Sequence, residues 1–426
     1  MSMVPVLMFS GCSNADIFEF NIMNELLAEF EESENPQSGG NGNSIAEISL
    51  PENMNEAYVN FSLELFKRNL TEGENSLISP TSAQFALTMA AMGADGDTKT
   101  EMLNVLCPGF TEEELVTYAN SLDTLLTQSQ PTAFHIANSM WVNETLIGDC
   151  LNETYANALK EDMDAEAHMM PFNQKAVDEI NDWVNENTHE MIPELLEQIP
   201  ADVAMYLINA MTFEGKWSDQ YSDYQVQDKT FTNADGVEEK ADMLCETGNF
   251  YLENDDATGF IKYYEGGQYA FLAMLPKEDG TLDNFVANLT GEDYIAFYES
   301  LTTEYDVKTE LPCFTYSYST TMNDSLKEMG MPTAFTEGAA DFSPMLTDET
   351  RHLYISNVIH KTYIELDQNG TKAAAVTAVE MTLESAALEE PKEIKEVILD
   401  RPFVYAIVDT QNGLPIFIGT VNSVAK

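Results

Sequence analysis

The sequence predicts an α+β fold. Apolar residues recur at helical spacing through the first half. Short apolar runs of strand length fill the second half. A Gln411-Asn412-Gly413 turn separates two such runs near the C-terminus. Tyr58–Leu70 carries Phe61, Leu63, Leu65 and Phe66 among polar residues and reads as a helix, as do Ser82–Met92 and Val177–Leu196. Ala204–Thr212 and Tyr269–Leu275 are short and apolar enough for buried strands. Phe403–Val408 and Pro415–Val421 read as strands of one hairpin across the Asn412-Gly413 turn.

The ordered domain is expected over 55–426. Residues 13–54 are acidic and then rich in Gly, Asn and Ser, a composition that buries little and reads as a tether. Residues 1–12 hold an apolar stretch, Met3–Phe9, running into Phe9-Ser10-Gly11-Cys12. This resembles the small-residue-then-cysteine site of a bacterial lipoprotein signal and makes Cys12 a candidate for lipidation. The stretch is short and no Lys or Arg precedes it, so a chance cysteine in a leader is the alternative reading. At 426 residues and 44% hydrophobic content the chain can bury a large core. No apolar run approaches the ~20 residues of a membrane-spanning helix.

The charge excludes one class of partner. With 73 acidic against 19 basic side chains the formal net charge is −54, and phosphate backbones require Lys/Arg patches, so nucleic acid is disfavoured. Two readings of the excess remain: a solubility adaptation, or a preference for cationic partners through salt-sensitive steering. Cys107, Cys150, Cys245 and Cys313 form no C-x-x-C pair and lie away from His at metal-ligand spacing, so they read as buried free thiols. No metal or cofactor is implied. The sequence holds no G-x-S-x-G, H-E-x-x-H or G-x-x-x-x-G-K-[ST] motif. Its five histidines (135, 168, 189, 352 and 360) are scattered. Asp367-Gln368-Asn369-Gly370 lacks the Glu that would close a calcium loop. An enzymatic activity is therefore not expected.

Several segments, in order, resemble one family. They are Asn75–Met92 (NSLISPTSAQFALTMAAM), Ile180–Leu196 (INDWVNENTHEMIPELL), Leu207–Trp217 (LINAMTFEGKW), Leu311–Phe314 (LPCF), Met329–Met345 (MGMPTAFTEGAADFSPM), Leu353–Lys361 (LYISNVIHK) and the ending Asp400–Phe403 (DRPF) with Phe417–Val421 (FIGTV). Together they look like a serpin over about residues 55–426. The resemblance implies three β-sheets, about eight or nine helices and an exposed reactive-centre loop at about 368–398. It also implies that Ser79, Ser82, Asn209 and His360 form a hydrogen-bonded shutter under the main sheet, and that Trp217 marks where the loop first enters. Ordinary satisfaction of buried polar groups is compatible with the same placement.

Gly370-Thr371-Lys372-Ala373-Ala374-Ala375-Val376-Thr377 looks like the hinge of inhibitory serpins. Such a segment must live first as a loop and later as a central strand. Small side chains enter a packed sheet with little steric cost, and Gly370 frees the pivot. Alternation supports this independently. Thr371, Ala373, Ala375, Thr377, Val379, Met381 and Leu383 are all small or apolar, whereas every charge falls on the other set, at Lys372, Glu380 and Glu384. The segment departs from the family in having Gln368 and Asn369 where acidic residues are usual, and in a longer stretch after the cleavage point.

Counting from Gly370 with the family's usual spacing puts the scissile bond at Glu384–Ser385, with Ala386 and Ala387 as alternatives. Counting back from Pro402-Phe403 gives a position near Pro391, whose imide blocks cleavage and pairing. The expected activity is irreversible suicide inhibition of a serine endopeptidase, outside the cell or attached to its surface, by a monomer. A cationic elastase-like enzyme is slightly favoured as target. The alternatives are a non-inhibitory carrier or chaperone, against which the small hinge argues, and cross-class inhibition of a cysteine protease.

Overall fold

The computed structural model describes residues 52–426 apart from 129–130, 164, 201, 278–280, 349, 373–391 and 426. The proposed leader, the 13–51 stretch, Cys12 and the proposed scissile residues Glu384 to Ala387 lie outside the described residues.

The chain begins with α1 (Glu52–Arg68), β1 (Ser76–Ile78), α2 (Pro80–Met92), α3 (Gly96–Leu106) and α4 (Glu112–Thr127). It continues through β2 (Ala133–Asn143), α5 (Glu144–Ile147), α6 (Glu153–Met163), β3 (Glu166–Met170), α7 (Gln174–Asn187) and β4 (Met205–Lys216). Then come β5 (Val226–Thr232), β6 (Glu238–Gly248), β7 (Leu252–Glu253), β8 (Ala257–Tyr263), β9 (Tyr269–Pro276), α8 (Leu282–Asn288), α9 (Gly291–Glu299), β10 (Asp306–Pro312), β11 (Phe314–Thr321) and α10 (Asn323–Met329). The last elements are β12 (Asn357–Asp367), β13 (Gly370–Thr371), β14 (Ile394–Ile398), β15 (Phe403–Asp409) and β16 (Pro415–Val421). The fold is α+β, as the sequence predicts. Among the described residues there are ten α-helices, one of them the single turn α5, against the eight or nine expected.

The strands form three sheets. The main sheet has the order β11-β12-β13-β4-β2-β3, the second β1-β16-β15-β9-β8-β7, and the third β14-β10-β6-β5. The C-terminal hairpin forms across Gln411-Asn412-Gly413, but it lies inside the second sheet, between β1 and β9, and both its strands are buried throughout. Helix α2 is buried from Pro80 to Ala91, on all its faces, as a helix enclosed by the core must be. It starts where Ser79 accepts from Ser82 N and Pro80 opens the first turn.

Helix α7 lies on the main sheet. Its Val177, Ile180 and Val184 share one apolar cluster with Tyr206 and Ile208 of β4 and Ile359 of β12. The helix is shorter than the expected Val177–Leu196. It stops at Asn187, because Thr188 Oγ1 donates to Val184 O and His189 and Glu190 adopt positive φ of 49° and 62°. Pro193 follows and cannot extend it. Ile192 and Leu196 still reach the cluster from an irregular segment. Asn181 Oδ1 satisfies that segment's backbone by accepting from Leu195 N and Leu196 N, each at 2.8 Å.

Two further differences concern β2 and the thiols. The first half also holds the long strand β2, whose sequence AFHIANSMWVN shows no clean alternation and which pairs antiparallel with β4. Cys107 and Cys150 are buried free thiols, but Cys245 and Cys313 are only half-buried, since both lie at the third sheet rather than in the core.

Candidate functional site

The residues expected to matter converge on one seam of the main sheet, the line between β4 and β12. Along most of it the two strands pair directly in parallel, from Asn357 opposite Tyr206 to Thr362 opposite Met211. At its upper end they diverge, and β13 fills the gap. Gly370 pairs with Asp367 of β12 and Lys216 of β4, and Thr371 pairs with Leu366 and Gly215, both antiparallel. The first two hinge residues thus already sit as a short strand above a closed seam.

Glycine is required at this point. Gly370 has φ +150°, and a Cβ there would stand 2.1 Å from Gly215 O. Asp367 shapes the turn before it: its Oδ1 accepts from Asn369 N at 2.7 Å and Gly370 N at 3.3 Å. Gln368 and Asn369, the departures from the family pattern, therefore occupy a turn ordered by the aspartate that precedes them. Thr371 is 2% exposed and its Oγ1 shares a 2.7 Å hydrogen bond with the Tyr264 hydroxyl. It faces inward, the side that alternation assigns to it. Lys372 turns away at φ 39°, although its N still donates to Glu365 O of β12 at 2.7 Å. Ala373, Ala374, Ala375 and Thr377 lie outside the described residues.

Trp217 stands beside this short strand. Its indole Nε1 donates to Asp367 O and its backbone N to Asn369 O, both at 2.9 Å. The ring stacks on Tyr264 with centroids 4.6 Å apart. Trp217 and Tyr264 therefore hold the turn and the first inward residue together. Tyr264 was not singled out from sequence, although a tyrosine flanked by Tyr263 and Gly266-Gly267 offers no signal of its own.

Farther down the seam, Ser79 N donates to His360 Nε2 at 3.0 Å, and Ser79 Oγ lies 2.9 Å from Ile416 O and 3.2 Å from Met211 Sδ. Ser82 N closes onto Ser79 Oγ. Asn209 sits opposite His360 in the parallel register and opposite Asn138 in the antiparallel one. A ring nitrogen that accepts an N–H carries no proton, so Nδ1 holds the one proton of a neutral imidazole. Burial pushes the His360 pKa down to about 3. The arrangement ties β12 to the start of α2 through a neutral polar link, and the link must stretch if β12 moves from β4. Nothing here pairs a nucleophile with a base. Among the described residues no group of three or more His, Cys, Asp or Glu could hold a metal ion.

Comparison with known proteins fits this geometry. The family profile described as serpin (serine protease inhibitor) matches residues 56–424. The chain is a serpin. An uncharacterized serpin-like protein of Thermococcus kodakarensis is 32% identical over 368 residues, covering 84% of this chain and 83% of that one. Among solved structures, the thermophilic serpin tengpin in its native state is 36% identical with a TM-score of 0.82, over 88% of this chain and 95% of the other. Tengpin in its latent state is 35% identical with a TM-score of 0.77, over 88% and 99%. Serpins are in general protease inhibitors.

Proposed function

We propose that this serpin is an irreversible suicide-substrate inhibitor of serine endopeptidases. The protease cleaves the reactive-centre loop and is held as an ester on the new C-terminus. The freed hinge then inserts between β4 and β12 and drags the acyl-enzyme away from its oxyanion donors. The observation that supports this most is the seating of Gly370 and Thr371 in the sheet above a seam still paired from Asn357 to Thr362. Insertion of the following small residues adds about a dozen ladder hydrogen bonds at roughly 1 kcal/mol net each. That sum, of order ten kcal/mol, is large against the 10²–10³-fold slowing that loss of one oxyanion donor produces.

The proposed bond is Glu384–Ser385, or one of the next two. Glu384 suits a protease with a basic pocket, and Ser385, Ala386 and Ala387 suit an elastase-like one. A cationic enzyme of the second kind is favoured, because the −54 surface would speed its encounter. The protein acts outside the cell, free or anchored through Cys12.

Incubation with a panel of serine proteases tests the reading. The expected result is a covalent complex that survives SDS and heat, with mass spectrometry of the released peptide placing the cut within 383–388. Association should slow as salt rises. A panel that only nicks the loop, with no complex at any ratio, refutes the inhibitory reading.

A further inference from the structure

Lys262 is a buried lysine in an apolar strand. It lies on β8, where every residue but Thr258 is buried, and its side chain is 6% exposed. Such a cation requires a partner. Its Nζ lies 2.9 and 2.8 Å from Oε1 and Oε2 of Glu246 on β6. The pair joins the second sheet to the third. It also grips an aromatic ring: Tyr221 OH donates to Glu246 Oε1 at 3.1 Å, and Lys262 Nζ stands 4.3 Å from the Tyr221 ring centroid and 6.0 Å from that of Trp217.

The same two aromatic residues hold the turn ahead of the hinge. Tyr221 N donates to Gln368 O at 3.0 Å and Trp217 N to Asn369 O at 2.9 Å. The segment between them rests on the end of β8, since Ser218 N donates to Tyr263 O, and just outside it Glu265 N donates to Lys216 O at the end of β4. A chain of contacts thus runs from the ion pair, through Tyr221 and Trp217, to the two residues that immediately precede Gly370. Bulk stability does not require a charged pair here, because well-packed apolar residues serve a buried site at least as well. What two charges and an aromatic face add is one fixed orientation. The chain commits to this place one of only 19 basic side chains.

We infer that Lys262 and Glu246 are positioning residues for loop insertion. They hold the Trp217–Tyr221 segment so that its amides seat Gln368 and Asn369, and so launch Gly370 and Thr371 into the gap in the register that productive insertion continues. The inference rests on the inhibitory reading, and its test separates the two. Lys262→Met is to be compared with wild type by hydrogen exchange of the uncleaved protein and by the moles of inhibitor consumed per mole of protease trapped. The Trp217 and Tyr221 amides should exchange roughly tenfold faster, while the Ile407 amide in the core keeps its wild-type rate. Inhibitor consumption should rise about threefold or more, with the rate of the first loop cleavage within about twofold of wild type, because seating and not recognition is disturbed.

Should Lys262→Met fail to fold, the double change Lys262→Met with Glu246→Leu removes both charges. It should fold and show the same selective exchange and raised consumption. Wild-type exchange and wild-type consumption in a folded variant overturn the inference. So does acceleration spread evenly to Ile407, which marks a merely structural role. A wild-type protein that traps no protease defeats the inhibitory reading instead, while the exchange comparison still decides whether the pair orders the turn.

Discussion

Thr371→Arg should convert this serpin from an inhibitor into a substrate. Thr371 is 2% exposed, and the gap around it is walled by Gly215, Leu366 and the Tyr264 hydroxyl, none of them anionic. Losing the threonine hydroxyl leaves the fully buried Tyr264 hydroxyl without that partner, at about 1–3 kcal/mol. Forcing an unpaired guanidinium into the gap adds several kcal/mol more. A total near 5 kcal/mol shifts the seated fraction of the hinge by roughly 10³-fold or more. The mutant loop should be cleaved at the normal rate, but insertion then starts too late and water releases the protease. Titration of a fixed amount of protease, read on a denaturing gel, measures the outcome. Wild type should trap most efficiently, Thr371→Val less so because it loses only the hydroxyl, and Thr371→Arg should yield cleaved inhibitor almost alone. Trapping by Thr371→Arg at the wild-type ratio would show that this residue does not enter the sheet facing inward.

On the proposed insertion mechanism, cleaved wild-type protein should melt far above the intact form, which that mechanism makes kinetically trapped; equal melting temperatures would remove insertion from the account. His360 gives a pH prediction. Its folded pKa, about 3, lies below the ordinary 6.5, so the unfolded chain takes up a proton that the native chain refuses. This contribution is complete above pH 6.5 and is lost as pH falls toward 3, at about 1.4 kcal/mol per pH unit. His360→Gln should therefore flatten the melting-temperature curve between those limits, and curves parallel to wild type would contradict a buried neutral imidazole. Expression of the native gene beside a Cys12→Ser variant tests the anchor. A lipidated product is expected from the first alone, and an unlipidated wild-type product disposes of it.

Ser79, Ser82, Asn209, Trp217 and His360 were named only through the family resemblance, while the elements that carry much of the seam were legible from local character. Ser82–Met92 reads as a helix, although it begins two residues earlier at Pro80, Ala204–Thr212 is apolar at strand length, and the hinge alternates. The missing parts are those decided by distant partners. Lys262 looks like a flaw in an apolar strand until Glu246 is brought beside it from another sheet. The end of α7 was overrun because Ile192 and Leu196 remain at core-facing positions after the helix has stopped, so apolar spacing could not report the break. The two-residue strand β13 is too short for any periodicity, and only its neighbours on both sides define it.

The placement of the C-terminal hairpin bears on how the molecule is made. Strands β15 and β16 are interior members of the second sheet, and β16 pairs with β1, so that Thr420 meets Ser76. Ile416 O is also the acceptor for Ser79 beneath the seam. A nascent chain lacking these residues has a second sheet split at its middle and no floor under the strands that must stay shut. The second sheet is complete only once this hairpin has closed contacts that span most of the described chain, from Ser76 to Thr420. Without the hairpin the β4–β12 pairing keeps its own ladder but loses the Ile416 carbonyl that holds Ser79 beneath it. The segment farthest along the described chain thus acts as the anchor for a seam built from strands that precede it.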